Sequence, residues 1–300
     1  MTPPVVSTRA LGKRYGSHWA LEDCTLDIPA GSVTALVGPN GAGKTTLLQL
    51  AVGLLEPSAG AVEVLGTSPR DDADVLGRVG FVAQDHPLYR GFTVEETLRF
   101  GAKLNPSWDT AAAFDRVERL KLPRRKKVGT LSGGQQAQVA LTLALAKRPE
   151  VLLLDEPIAS LDPLARREFL QSVMEAVSET GMTVVLSSHI VADLERVCDH
   201  LVILSHARTQ LAGPIDEIIA SHRLLTGRRA SPELVSRTHD VIRESHTDRQ
   251  TTLLVRGRRH VYESHWEPHE IDLEEIVLAY LGRDRETTPE LDWTNQAMSA

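Results

Sequence analysis

The residues best suited to chemistry form a glycine-rich loop close to the N-terminus. The sequence GPNGAGKT fits the pattern GxxxxGK[ST] and lies between a run typical of a strand and a run typical of a helix. Glycines let backbone N–H groups surround phosphates, a lysine reaches the β and γ phosphates, and the following hydroxyl can ligate magnesium. We therefore predict a nucleotide site formed by Gly38, Pro39, Asn40, Gly41, Ala42, Gly43, Lys44, Thr45 and Thr46.

A pair of carboxylates follows a second apolar run. The sequence VLLLDEP predicts a buried strand that ends in Asp155 and Glu156, and the carboxyl ends of parallel strands form the ligand-binding edge of a sheet. Asp155 would orient the magnesium shell, and Glu156 would accept a proton from the attacking water. An acidic pair after a strand is also common as a helix cap or turn. Its occurrence with the phosphate loop favours the catalytic interpretation.

A third motif, LSGGQ, begins at Leu131. We expect Ser132 to cap a helix while Gly133 and Gly134 bring bare backbone to its positive end, which makes an anion site without a lysine. At these residues the chain resembles the ABC ATPases, whose signature sequence this is. The resemblance implies that Ser132, Gly133, Gly134 and Gln135 of one subunit cover the γ phosphate of ATP held by a second copy.

Four more residues carry the resemblance. Tyr15 in KRYG resembles the aromatic platform for adenine, with Trp19 as a competing aromatic and packing in a β-subdomain core as the alternative role. Gln84 in FVAQD resembles the glutamine of the loop that joins the core to a helical insertion and senses magnesium and the membrane partner. Asp162 in SLDP resembles the loop that crosses the dimer interface, and His189 in LSSH resembles the switch histidine at the γ phosphate.

The roles implied by the resemblance form a complete ATPase site. The catalytic residues would be Lys44, Gln84, Glu156 and His189, and the magnesium ligands would be Thr45, Gln84 and Asp155. The chain departs from the family at one place, because Gln138 and Thr142 stand where many members have arginines. The side-chain ion pairs usual on the signature helix are therefore not expected. The resemblance covers residues 5 to 218.

The elements that must position these motifs alternate between strands and helices. This order predicts an α/β fold with the parallel sheet core of a P-loop NTPase, covered on both faces by helices. Short β-rich runs near the N-terminus predict an antiparallel β-subdomain. A helical pattern between Thr93 and Leu122, opened by a capping box at Thr93 and Glu96, predicts a helical insertion.

The last eighty residues differ in composition from the rest of the chain. They contain no lysine and six of the eleven histidines. We predict three parts: an ATPase domain at 1–218, a small α+β accessory domain at 219–283, and a loose tail at 284–300. The accessory domain should contain a strand at Thr251 to Val255 and a helix at Leu273 to Leu281. Its histidines, among them His260 and His265, lack regular metal-ligand spacing.

Composition and charge limit the compartments and binding partners that we expect for the protein. The net charge of −7 and the isoelectric point near 5.9 give no general attraction to nucleic acid or anionic lipid. The first residues lack the apolar core of a secretory signal, and no apolar run approaches the roughly 18 residues that span a bilayer. Cys24 and Cys198 are expected to be reduced core residues. We expect a cytoplasmic protein that reaches the inner face of the membrane only through a partner.

The sequence thus predicts the ATPase subunit of an ABC transporter, closing as an ATP-bound homodimer on a separate permease. Exporters often use such single-cassette subunits with short C-terminal extensions. The alternative is a non-transport ABC protein that acts on ribosomes or DNA. Such proteins usually carry two cassettes or a long coiled-coil insertion, and this chain has neither. A subunit with a dead site is disfavoured because Lys44 and Glu156 are both present.

Overall fold

The computed structural model describes residues 3–105, 107–228, 235, 239–257 and 266–282. The chain forms two compact units, residues 1–215 and residues 216–300. The predicted loose tail, and His260 and His265, lie outside the described residues. No helix within the described ranges is long and apolar enough to cross a bilayer.

The first unit contains nine strands and seven helices in its described residues. The strands are β1 (Pro4–Tyr15), β2 (His18–Pro29), β3 (Val33–Val37), β4 (Ala59–Val64), β5 (Val79–Val82), β6 (Val151–Leu154), β7 (Thr183–Ser188), β8 (His200–Ser205) and β9 (Arg208–Pro214). The helices are α1 (Lys44–Ala51), α2 (Ala73–Gly77), α3 (Val94–Leu104), α4 (Thr110–Arg119), α5 (Gly133–Leu145), α6 (Pro163–Thr180) and α7 (Val191–Leu194).

A six-stranded sheet forms the core, in the order β5-β6-β7-β3-β8-β9. Its first five strands pair in parallel, and β9 runs antiparallel to β8. Every residue of β3, β6 and β7 is buried, as expected for strands covered on both faces, where apolar residues need not alternate with polar ones. The predicted parallel core is confirmed. Its carboxyl edge carries the loop before α1 and the acids after β6.

Two smaller layers complete the first unit. Strands β2, β1 and β4 form an antiparallel sheet. Helix α3 starts with the predicted capping box, in which the Thr93 N–H donates to Glu96 Oε2 at 2.8 Å and the Glu96 N–H donates to Thr93 Oγ1 at 3.2 Å. The helical insertion has its own apolar core, which includes Val94, Leu98, Val117, Val128 and Val139. The antiparallel subdomain and the helical insertion are both confirmed.

In its described residues, the second unit is a four-stranded antiparallel sheet with helices. The strands β10 (His222–Arg228), β11 (Asp240–His246), β12 (Gln250–Arg256) and β13 (Trp266–His269) pair in the order β11-β12-β10-β13. Helix α8 (Ile215–Ser221) precedes the sheet and α9 (Leu273–Gly282) follows it. Helix α9 buries one side, with Leu273, Ile276 and Tyr280 each at most 3% exposed. The α+β class predicted for this region is confirmed.

A fully buried histidine joins two elements of the second unit. His222 Nδ1 lies 2.6 Å from the carbonyl of Ile218, so it donates, and Nε2 therefore accepts from the Tyr280 hydroxyl at 3.1 Å. Burial lowers the pKa of His222 from its ordinary value of 6.5 and Arg256 lowers it further, whereas the hydrogen bond to Ile218 and the charge of Asp240 oppose the shift. The neutral imidazole is thus the form that the fold accepts.

This lowered pKa predicts a loss of stability in acid. As the pH falls below 6.5, the unfolded chain binds a proton at His222 that the folded chain refuses, so the contribution present at neutral pH is lost toward the lowered folded pKa. His222→Gln, which keeps a donor and an acceptor but does not titrate, should flatten the dependence of unfolding free energy on pH between 7 and 5 by up to about 1.4 kcal/mol per pH unit. Denaturant melts at several pH values measure it. The exposed His269→Gln is the control, and equal slopes in both variants would contradict the assignment.

Candidate nucleotide site

The phosphate loop has a backbone that only glycine tolerates at several positions. Gly41 and Gly43 have φ of +82° and +102°, and a Cβ on Gly43 would lie 2.4 Å from the carbonyl oxygen of Ala20. A Cβ on Gly38 would lie 2.3 Å from the carbonyl oxygen of Leu204. Gly43 caps α1 without a side chain, so the N–H groups of the first turn carry no side-chain acceptor. The positive end of α1 is therefore open to an anion.

The loop lines a cleft of about 370 Å³ at the carboxyl edge of the sheet. Gln84, which follows β5, and Glu156, which follows β6, line the same cleft, so three predicted segments meet there. His18 and Ala20 also line it, although the sequence analysis did not single them out. The full lining is His18, Ala20, Asn40, Gly41, Ala42, Gly43, Lys44, Thr45, Thr46, Gln84 and Glu156.

Glu156 lies between the lysine and the histidine that the motifs predicted. Its Oε1 is 3.1 Å from Lys44 Nζ and its Oε2 is 2.8 Å from His189 Nδ1. Lys44 and Glu156 are only 5% and 7% exposed, whereas the His189 side chain is 49% exposed. Lys44 Nζ also donates to the carbonyl of Gly38 at 2.7 Å. The structure thus brings the predicted base, the phosphate-binding cation and the switch histidine into one chain of contacts.

Asp155 is held by two hydroxyl groups. Thr45 Oγ1 donates to Asp155 Oδ1 at 3.1 Å and Ser187 Oγ donates to the same oxygen at 2.9 Å. Burial nevertheless raises the pKa of Asp155, with the two hydroxyls opposing the shift. A nearby cation would relieve this penalty, because opposite charge favours the ionised carboxylate.

Ser187 is a site residue that the sequence analysis missed. Besides donating to Asp155, its hydroxyl accepts the backbone N–H of Glu156 at 2.8 Å, and it holds Glu156 in a backbone conformation with φ of +46°. Such a φ is unusual for a residue other than glycine and marks positions fixed by their surroundings. The available signal was its place near the carboxyl end of the strand that precedes His189.

The signature residues lie at the start of α5 and outside the cleft. Ser132 and Gln135 form a capping box, in which the Gln135 N–H donates to Ser132 Oγ at 3.3 Å and the Ser132 N–H donates to Gln135 Oε1 at 3.2 Å. Gly133 and Gly134 form the first turn of α5, and Asp162 caps α6 by accepting the Ala165 N–H at 2.9 Å. In the described part of the chain, none of the predicted signature residues, nor Asp162, lines the cleft.

The aromatic candidates occupy different surroundings. Tyr15 ends β1 and is 50% exposed, so the alternative that it fills a core is wrong. Lys13 Nζ lies 5.5 Å from its ring centroid. Trp19 lines a neighbouring cleft of about 480 Å³ together with Pro39 and Asn40 of the phosphate loop. Trp19 thus shares a cleft with the loop directly, whereas Tyr15 lines neither cleft and pairs in the sheet with His18, which lines both.

These features identify a general class of nucleotide-binding domain, and the comparisons with known proteins identify the family. A glycine loop and a lysine at a helix start after β3, with acids after β6 two strands away in the same parallel sheet, make a phosphate-loop nucleotide-binding domain. A family model described as "ABC transporter" matches residues 21–159. A solved structure described as the ATP binding subunit of an ABC transporter has a TM-score of 0.65 and 30% identity, covering 72% of this chain and 92% of that one. The chain belongs to the ABC transporter ATP-binding proteins, which confirms the predicted family.

Two further proteins of this family are similar to the chain. A sulfate/thiosulfate import ATP-binding protein of Rhizobium meliloti is 37% identical over 223 residues, which are 71% of this chain and 60% of that protein. The chain therefore spans less than two thirds of the length of that relative. A dimeric bacterial ABC transporter cassette has a TM-score of 0.62 and 25% identity, covering 70% of this chain and 98% of that one.

The buried contact between Lys44 and Glu156 predicts a paired mutational effect. Lys44→Ala should destabilise the fold by about 3 kcal/mol because it leaves a buried carboxylate without its cation. Adding Glu156→Gln should restore most of this stability, since the neutral amide needs no cation. Nucleotide binding should stay weak in both variants. Thermal melting and titration with a fluorescent ATP analogue measure the two effects, and a double variant no more stable than Lys44→Ala would contradict the role of the ion pair.

Proposed function

We propose that this protein binds and hydrolyses ATP as a subunit of an ABC transporter and drives a membrane permease on a separate chain. The observation that carries the proposal is the contact of Glu156 with both Lys44 and His189 beside the phosphate loop. A buried carboxylate that shares a lysine with the incoming phosphate can exchange one partner for another. No such exchange is needed in a site that only binds nucleotide.

In the proposed reaction, Lys44 Nζ leaves Glu156 Oε1 and binds the β and γ phosphates of ATP. Glu156 Oε1 is then without its cation. The freed oxygen accepts a proton from the water that attacks the γ phosphate, while Oε2 stays bonded to His189. The bond from Glu156 N–H to Ser187 keeps the carboxylate from following the lysine. His189 is half exposed and donates Nδ1–H to Glu156 Oε2, so the neutral ring keeps Nε2 as a hydrogen-bond acceptor for a water or hydroxyl of the reacting group.

The residues near Asp155 suit magnesium. Thr45 and Asp155 present oxygen atoms 3.1 Å apart, Gln84 lines the same cleft as Thr45, and burial raises the pKa of Asp155, a penalty that a bound cation would relieve. Within the described ranges no group of three or more His, Cys, Asp or Glu side chains could hold a metal, and Mg²⁺ on a nucleotide usually needs only one or two carboxylates. Bound magnesium would neutralise charge that develops on the phosphates.

The proposed active unit is a homodimer that shares two sites. Ser132, Gly133 and Gly134 form a capped helix start that lies outside the cleft of their own chain, so a second copy is the proposed recipient. The dimeric relative described above supports this arrangement. Tyr15, Gln135 and Asp162 are proposed to contact nucleotide or partner in the closed dimer.

An exposed apolar groove is the proposed docking surface for the permease. It has a volume of about 600 Å³ and is lined by His86, Leu88, Tyr89, Phe100 and Leu104 among others. The rings of Tyr89 and Phe100 lie 5.4 Å apart, and Tyr89 and Leu104 are 60% and 64% exposed. Exposed apolar and aromatic side chains that gather in one groove are typical of interaction sites. Gln84, which lines the nucleotide cleft, lies between Ala83 and His86, which both line the groove, and this provides a direct link.

The proposed cellular location follows from these partners. We place the protein at the cytoplasmic face of a membrane, held by its permease, and the net charge of −7 gives no reason to expect nucleic acid as a partner. The sulfate and thiosulfate relative is named as an importer, whereas the single cassette resembles exporter-type subunits. Purification of the endogenous complex would test the transport role, with a co-purifying membrane protein expected and ribosomes or DNA as the opposing result.

The C-terminal region is proposed to be an accessory domain that nucleotide binding does not need, with boundaries at 219 and 283. Every proposed nucleotide residue lies in the first unit. A chain that ends after α8, at Ser221, should therefore bind ATP with affinity within about twofold of the full chain. Titration with nucleotide measures this, alongside circular dichroism. A folded truncation that does not bind ATP would contradict the boundary.

The shared site predicts a trapped dimer. Glu156→Gln keeps the shape and polarity of the side chain but removes its basicity, so turnover should fall roughly 10² to 10⁴-fold while ATP still closes the interface. Size-exclusion chromatography with light scattering, in ATP without magnesium, should show the dimer.

Adding Ser132→Arg should abolish this dimer, because bulk and a misplaced charge then meet the γ phosphate of the second copy. ATP should still bind the monomer through Lys44. If the double variant dimerises as well as Glu156→Gln alone, the signature does not complete the site in trans.

A further inference from the structure

A buried chain of polar side chains crosses three helices of the first unit. Arg116 on α4 donates from Nη2 to Gln138 Oε1 on α5 at 3.0 Å, and Gln138 Nε2 donates to Ser172 Oγ on α6 at 3.3 Å. The three residues are 6%, 8% and 3% exposed. The nucleotide cleft uses none of them, and the motifs did not indicate Arg116 or Ser172.

Burial of the charged Arg116 side chain among these neighbours costs folding free energy. Its guanidinium forms one hydrogen bond to a neutral amide, its Nε is buried without a partner, and it makes no ion pair with the residues that the structure describes. Burial, together with the charge of Arg119, lowers the pKa of Arg116 to about 10 while Glu175 and Glu179 oppose the shift, so the group is still charged at neutral pH. Both carboxylates line the same cleft as Arg116, but within the described residues neither is close enough to form an ion pair with it. A buried charge without a paired carboxylate costs stability, so we expect an apolar side chain of similar volume to be at least as stable.

The guanidinium decides how the amide of Gln138 is turned. Arginine has donors and no acceptor, so Gln138 must present its oxygen to Arg116 and its NH₂ group to Ser172. Without Arg116 the Gln138 amide could flip or move away from Ser172. The contact between α5 and α6 at Ser172 thus depends on a residue of the helical insertion.

That contact lies apart from a close approach of α5 and α6 at the start of both helices, where a Cβ on Gly134 would come 3.0 Å from Ala165 Cβ. Gln138 lies four residues after Gly134, about one turn along α5. One point of contact lets a helix pivot, whereas two points fix its direction. The start of α5 carries Ser132, and the start of α6 carries Asp162.

We propose that Arg116 is a positioning residue that locks Gln138 against Ser172 and so holds the signature helix at the angle needed to reach a second copy. This role rests on the proposed shared site. Arg116 touches no nucleotide. It acts by keeping Ser132 and Asp162 on one rigid surface before the two copies meet, so that closure need not align them.

The test compares nucleotide binding by the monomer with dimerisation, in chains that also carry Glu156→Gln. Arg116→Met keeps much of the apolar volume and removes the charge and donors. We expect monomer affinity for a fluorescent ATP analogue within twofold of the parent, thermal stability equal or higher, and about tenfold more ATP needed for half-dimerisation, the scale of one lost charged hydrogen bond. Arg116→Lys, which retains charge and a donor, should recover part of the loss.

The matched control is Arg119→Met on the same helix. The side chain of Arg119 is 56% exposed and lies 3.8 Å from Glu179, so its loss should leave dimerisation unchanged. Unchanged dimerisation in Arg116→Met, or an equal fall in monomer ATP affinity, would overturn the positioning role.

Hydrogen exchange on the monomer separates this role from the shared site. Arg116→Met should speed exchange in residues 132–145 and leave residues 183–188 unchanged. If the Glu156→Gln parent stays monomeric in ATP while α5 loosens in this way, the shared site is wrong and the positioning of α5 by Arg116 stands. If exchange in α5 does not change, the positioning role is wrong whatever the dimer does.

Discussion

The parallel pairing of β6 with β7 and of β7 with β3 is the constraint from which the site follows. Their register aligns Leu154 with Leu186 and Ser188 with Val37, so the chain segments after the three strands emerge side by side at one edge. Backbone hydrogen bonds along three buried strands fix that register, and a shift by one residue would turn buried side chains to the opposite face. The ion pair of Glu156 with Lys44 and the bond of Ser187 to Asp155 need the same alignment.

Local sequence was sufficient for what depends on neighbours in the chain. The phosphate loop, the capping boxes at Thr93 and Ser132, and the buried strands each follow from patterns within a few residues. The family, the α/β core, the antiparallel layer and the helical insertion were predicted from such patterns and are confirmed. Gln84 and Lys44 were predicted to serve one site, and they do line one cleft.

Contacts made across the fold were beyond the reach of these patterns. Ser187 is an ordinary polar residue in sequence, and only strand pairing reveals that it holds both acids. Arg116 lies on an amphipathic helix among other charges and would pass for a solvated residue. The missing arginine at Gln138 was visible, but the sequence did not show that α4 supplies a guanidinium to the same place. Such exchanges depend on packing between elements that lie far apart in the chain.

The short segment from Gln84 to Tyr89 has a consequence for energy transfer. One end of it lines the nucleotide cleft and the other end lines the apolar groove, with no hinge of glycines in between. If the proposed permease binds the groove in two conformations with different free energies, and this segment moves as one piece, the cleft is biased by that difference. Linkage makes the bias mutual. Whichever permease conformation raises the affinity for ATP is then favoured by bound ATP by the same factor.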